Sequence, residues 1–239
     1  MNAPTTTALD EPVRAALDGP QTHLATRRGR AVRYHPDVAP FLAPPRDPEE
    51  WDDAAALAGP GGTVIVRSVP PVDPPPGWDV VRDMPGVQMV LDDAAPAPVA
   101  GDAAVVELGA PDADAMLALV GRTRPGPFAR RTHELGTYLG VRDDLLGLVA
   151  MAGERMRVDG ATEISAVCTD TAARGQGLAS RLVLVLAARI RARGELPILH
   201  ASADNTTAIR LYEQLGFTLR AQPHFVVVRA PTPTQEARP

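Results

Sequence analysis

Three features of the sequence predict an α/β or α+β domain. Strand and helix patterns alternate through residues 105 to 229, apolar residues make up 45% of the 239-residue chain, and glycine and proline fall at the breaks between segments. That length suits one large domain or two small ones, and the apolar content can supply a core.

The elements follow in order. Before residue 100 the pattern predicts a helix at Pro48 to Leu57, a strand at Thr63 to Val69, and short strands at Trp78 to Val81 and Val87 to Leu91. Seventeen of the 25 prolines lie in residues 1–100, and Ala94-Ala95-Pro96-Ala97-Pro98 reads as a linker. The chain therefore divides into a Pro-rich N-terminal domain (1–100), a second domain (101–230) and a flexible tail (231–239). In the second domain, Val105 to Leu108 reads as a strand and Pro111 to Val120 as a helix, with Asp112 and Asp114 at the positive end of its dipole. Strands are expected at Gly136 to Val141, Leu146 to Arg155 and Thr162 to Thr169. Leu178, Leu182, Leu186 and Ile190 recur every four residues, which predicts an amphipathic helix over Gly177 to Arg193, closed by Gly194. A strand at Pro197 to Ala201, a helix from Asn205 to Leu215, and strands at Phe217 to Arg220 and Phe225 to Arg229 complete the pattern.

Composition excludes several classes. The 24 basic residues are all arginine against 29 acids, so the net charge of −5 argues against nonspecific nucleic-acid binding. A single cysteine, Cys168, rules out an internal disulfide framework and a cysteine-built zinc site. His23, His35, His133 and His224 lack metal-ligand spacing, so no metal is expected. No segment is apolar and long enough to span a bilayer, and no signal peptide is apparent. The expected compartment is the cytoplasm.

Residues 163–179 run from a strand through a small-residue loop into a helix. Gly175 and Gly177 let the backbone approach a ligand closely, and the amides at the helix start form an anion site suited to a pyrophosphate. The alternative is a tight strand-to-helix turn and nothing more. A Walker loop is excluded, because no Gly-Lys-Ser/Thr follows and the chain contains no lysine. A dinucleotide fingerprint fits poorly, since Ser180 stands at the third glycine position and no acid ends the next strand.

Arg174-x-x-Gly177-x-Ala179 resembles the acyl-coenzyme A loop of the GNAT superfamily of N-acetyltransferases. Asn205-Thr-Thr-Ala-Ile-Arg-Leu-Tyr-Glu-Gln-Leu-Gly-Phe217 is similar to that superfamily's following segment in order and spacing. The resemblance covers about residues 104–230. It implies an α+β fold of α/β-type three-layer build, with a mixed central sheet flanked by helices. Residues 1–100 carry neither motif and are either a degenerate copy of the same fold or an unrelated cap.

The resemblance also implies roles. Backbone groups of Val167, Cys168 and Thr169 would pair with the pantetheine arm, and amides of Gly175, Gln176, Gly177, Leu178, Ala179 and Ser180 would hold the pyrophosphate. Arg174 would add a charge-assisted bond to phosphate, or else its stem covers apolar surface. Asn205 is a favoured helix N-cap and, by resemblance, a pantetheine contact. Tyr212 would protonate the departing thiolate, although Ile209, Tyr212 and Leu215 also form a core stripe. For the general base the candidates are Glu163, which shares a strand face with Ser165, Val167 and Thr169, and His200, or a water. An ordinary strand-end glutamate and a structural histidine are the plain alternatives. Cys168 reads as a buried strand residue rather than a covalent nucleophile. Residues Gly126 to His133 are expected along the acceptor, with Arg130 and Arg131 reading a carboxylate or phosphate, or forming a solvated turn.

The implied activity is acetyl transfer from acetyl-CoA to a primary amine of a small molecule or a peptide, by a monomer or homodimer without nucleic-acid or membrane partners. The rivals are a noncatalytic acyl-CoA sensor or scaffold and, more distantly, a nucleotide-binding domain.

Overall fold

The four-residue stripe of Leu178, Leu182, Leu186 and Ile190 is buried along one helix, where each side chain contributes about 1.5–3 kcal/mol of burial before chain entropy is charged. The computed structural model describes residues 6–91 and 105–232. The expected linker at 94–98 and the tail from 233 onward lie outside the described residues.

The first hundred residues form α1 (Thr6–Asp10), α2 (Pro12–Asp18), β1 (Ala25–Arg28), β2 (Ala31–Tyr34), β3 (Phe41–Leu42), α3 (Pro48–Ala58), β4 (Thr63–Ser68) and β5 (Asp79–Leu91). The remainder forms β6 (Val105–Leu108), α4 (Ala113–Thr123), β7 (Tyr138–Asp143), β8 (Gly147–Val158), β9 (Ala161–Thr169), α5 (Leu178–Ala192), β10 (Leu196–Ser202), α6 (Thr206–Gln214), β11 (Phe217–Ala221) and β12 (His224–Arg229). Among the described residues no helix is long and apolar enough to cross a membrane.

Most elements start where local chemistry puts them. Asp47 caps α3 by accepting from the Glu50 amide, and Pro48 occupies the first helical turn. The two short strands expected before residue 92 are instead one strand, β5. Its first part pairs with β12 as far as Pro85, and from Gly86 onward it pairs with β10. Pro85, which has no amide to donate, stands at that switch, and its carbonyl accepts from Ala203. The elements before Asp47 are only two to seven residues long and carry little periodic signal. Packing of Leu9, Val13, Ala16 and Leu17 with Tyr34 and Phe41 holds them.

The strand order is β1-β2-β3-β4-β12-β5-β10-β9-β8-β7-β6, with β11 also on β5. Strands β6 to β9 form an antiparallel meander, whereas β9 and β10 are parallel. Helix α5 covers Leu139 and Val141 on one face, and α4 covers Tyr138 and Met151 on the other. This is the expected mixed sheet between helix layers. The last strand, β12, lies between β4 and β5, so the sheet interleaves strands from both sides of residue 100.

Candidate active site

Strands β9 and β10 pair from Ala161–Leu196 to Ile164–Leu199 and then part. Beyond that point β10 turns to β5 through His200, Ala201 and Ser202, while β9 stays on β8. One edge of β9, from Ser165 to Thr169, is therefore left facing a gap. Ala166 adopts a left-handed φ of 53° within a bulge in the β8–β9 ladder. The extra residue frees backbone groups of Ala166 and Val167 from β8. The buried Thr169 hydroxyl has no hydrogen-bond partner among the described residues.

The chain leaves β9 through Asp170, which caps a 3-10 turn, and reaches Gly175 and Gly177 at φ 81° and 72°. Both values lie in the region that costs other residues about 1–2 kcal/mol. Gly177 is the cap of α5, and no side chain caps that helix start. The amides of Leu178, Ala179 and Ser180 are thus free for an anion, with the helix dipole behind them. Asn205 caps α6 by accepting from the Ala208 amide.

The gap opens into a cavity of about 1130 Å³. Val167, Cys168, Thr169, Arg174, Gly175, Gly177, Leu178, Ala179, Ser180, Asn205 and Tyr212 all line it. Gln176 is exposed in the same loop but does not line the cavity. Tyr212 packs edge-to-face on Phe217, with centroids 6.0 Å apart. Burial, with the nearby Cys168 adding to it, raises its phenol to about 12. Burial also pushes the Cys168 thiol up, which keeps it un-ionised and a poor nucleophile.

Glu163 does not line the cavity. It is fully buried beneath the point of parting, where Arg155 donates to it through Nε (2.9 Å) and Nη2 and His200 Nδ1 lies 2.7 Å away. Burial alone would raise this carboxyl, but Arg155 and then His200 hold it far below the usual carboxylate range. His200 lines the cavity, yet burial lowers it more than Glu163 raises it, so the ring is neutral. Its Nε2 is 3.1 Å from Gln88 Nε2. Gln88 Oε1 accepts from Arg220, which fixes the amide so that its nitrogen donates to the ring. Both ring nitrogens are thereby engaged.

The acceptor segment differs from expectation. Thr123 to Pro127 reach the cavity, but Arg130 pairs with Asp114 (2.7 Å) and Arg131 holds Glu134 through two 2.8 Å bonds. Neighbouring acids thus occupy the two arginines expected to read the acceptor. In their place the cavity carries Phe41, Ile65, Arg82, Met84, Arg155 and Phe225, none of them singled out in the sequence. For Arg155 a signal existed. The Asp159-Gly160 turn sets a hairpin register that brings residues 155–156 opposite Glu163, and a buried acid needs a cation.

Comparison with known proteins agrees with this geometry. The FR47-like protein family matches residues 138–226. A crystal structure from Novosphingobium aromaticivorans DSM 12444, assigned to the GNAT family of acetyltransferases, superposes with a TM-score of 0.85 at 42% identity, covering 94% of this chain and 99% of that one. The chain belongs to the GNAT family. It is accordingly an acyltransferase, from a family of acetyltransferases that use acetyl-CoA. A GCN5-related N-acetyltransferase from Kribbella flavida shares the fold at 20% identity and a TM-score of 0.59, covering 92% of this GNAT chain and 94% of its own. A mycothiol acetyltransferase from Streptosporangium roseum is 46% identical over 57 residues, 23% of this chain and 17% of that protein's length.

Proposed function

We propose that this GNAT enzyme transfers an acetyl group from acetyl-CoA to a primary amine by direct attack, in the cytoplasm. The observation that carries the reading is the parting of β9 and β10 above an uncapped α5 N-terminus, with Tyr212 on the wall between them. The free edge of Ser165 to Thr169 suits an amide-bearing arm, and the amides of Leu178 to Ser180 suit a pyrophosphate. Arg174 is exposed on the same wall and adds a cation.

In the chemical step, amides freed at the Ala166 bulge polarise the thioester carbonyl as the amine attacks. The tetrahedral intermediate collapses with loss of the thiolate. A phenol at about 12 is a weaker acid than a free thiol near ~8.5, so Tyr212 stabilises the leaving thiolate chiefly by donating a hydrogen bond. Glu163 gives its oxygens to Arg155 and His200, and the His200 nitrogens are engaged, so the amine proton departs through water. In this reading Glu163 is a positioning residue that fixes the Arg155 and His200 surfaces.

The test is calorimetric titration with acetyl-CoA, CoA, NAD and ATP, followed by thiol release against a panel of amines. Acetyl-CoA and CoA should bind, and thiol release should require an amine. Stabilisation by NAD or ATP alone, or acetyl-CoA binding with no amine-dependent release, would count against the reading.

A further inference from the structure

The end of the cavity away from the glycine loop is cationic and apolar. Its floor is the face of β4, β12 and β5 on which Ile65 aligns with Arg82, and Phe225 with Met84, with Phe41 beside Ile65. Arg155 stands over this floor. Its guanidinium stacks on the Phe41 ring at 4.9 Å, and its Nε–Nη2 edge is committed to Glu163. A guanidinium carries five N–H donors, so the end-on fork through Nη1 keeps its donors, and no protein acceptor meets it among the described residues. Stacking and ion pairing thus hold a planar fork rigid on the cavity wall.

Arg82 is exposed on the same wall and has no side-chain partner among the described residues. Arg67, fully buried next to Phe225 in register, leaves its Nε and Nη2 unpartnered. Burial lowers it only to about 10, so it adds a further charge at neutral pH. The one cavity-lining carboxylate among the described residues, Asp204, precedes Asn205 at the start of α6, on the coenzyme side. An acceptor carrying extra positive charge would meet arginines here and no free acid.

Resting on the acetyltransferase reading above, we propose that the acceptor is an amine that itself bears a carboxylate beside an apolar body, a free amino acid being the simplest form. Arg155 takes the carboxylate by its free fork, Arg82 adds the second charge, and Phe41, Ile65, Met84 and Phe225 receive the apolar part. Such a fork reads a planar carboxylate in two parallel bonds, which also orients the neighbouring amine.

The experiment compares L-phenylalanine and L-leucine with their amides and with spermidine in thiol release, rates being referred to the free-amine concentration, alongside calorimetric acetyl-CoA binding. The free amino acids should show kcat/KM about tenfold or more above their amides. Arg82→Gln should raise KM for the amino acids and shrink that preference, leaving acetyl-CoA affinity unchanged. Arg155→Lys, which keeps the charge on Glu163 but loses the fork, should also shrink it. Amides or spermidine used equally well, a preference that survives Arg82→Gln, or no release with either amino acid while acetyl-CoA binds would each overturn the proposal. Failure of acetyl-CoA to bind at all would instead overturn the underlying acetyltransferase reading.

Discussion

Tyr212 keeps its proton through the neutral and mildly alkaline range, because burial places its phenol at about 12. Tyr212→Phe removes the hydroxyl without changing the ring that packs on Phe217. Turnover should fall by about 10²–10³-fold, the usual contribution of one preorganised hydrogen-bond donor, while the acetyl-CoA Kd stays within error. Equal loss of affinity would make Tyr212 a binding or core residue instead. Glu163 acts differently, through charge. Its folded-state pKa lies below that of an unfolded carboxyl (~4.3), and neutral His200 likewise lies below an unfolded imidazole (~6.5). In both cases the unfolded chain binds more protons, so the stability is fully present above the unfolded values, begins to fall below them, and is lost only as pH falls through the folded values. Tm should therefore drop as pH is lowered from about 7, through the His200 contribution first and the Glu163 contribution below about 4. Glu163→Gln strands Arg155 as a buried cation at a cost of about 3–5 kcal/mol. The variant should melt lower at neutral pH and show a shallower acid slope, and an unaltered slope would remove Glu163 from this role.

At the level of the element, the loop between β9 and α5 works through backbone shape. Gly175 and Gly177 have open space where a side chain would begin, so φ alone limits substitution there. Gly177→Ala should distort the first turn of α5 by about 1–2 kcal/mol and weaken acetyl-CoA binding about tenfold in calorimetry. Unchanged affinity would mean that these amides do not carry the pyrophosphate. This loop, α5 and α6 were legible in the sequence because their signals are local: glycines at a helix start, a four-residue stripe, an asparagine cap. The acceptor wall was not legible for the opposite reason. Arg130 and Arg131 look available in sequence, yet Asp114 and Glu134 engage them, while Arg82 reaches the cavity through its pairing with Val227, more than a hundred residues away, and Phe41 through Ile65, which pairs with the same Val227. Reading β5 as two strands has the same origin, since Pro85 interrupts the pattern where the strand changes partners.

Across the whole molecule, the chemistry-bearing motifs come from after residue 100, while the acceptor wall joins Phe41, Ile65, Arg82 and Met84 from before it to Arg155 and Phe225 from after it. Strand β5 is hydrogen-bonded to β10, β11 and β12, all from the later part of the chain, and β12 in turn is the partner of β4. Removing residues 1–100 would leave β10 with an unpaired edge and strip Val87, Met89 and Leu91 from the core beneath α5. It would also remove Phe41, Ile65, Arg82 and Met84 from the cavity. Each buried side chain of that kind is worth about 1.5–3 kcal/mol, and the three from β5 alone approach the whole stability of a typical domain, about 5–15 kcal/mol. A fragment of residues 101–239 should therefore show no cooperative thermal transition and no stabilisation by acetyl-CoA, even though it retains Tyr212, Asn205 and the glycine loop. A cooperative melt of that fragment, shifted upward by acetyl-CoA, would show that the later part of the chain closes its own sheet, and that the interleaved strands serve the acceptor end rather than the fold.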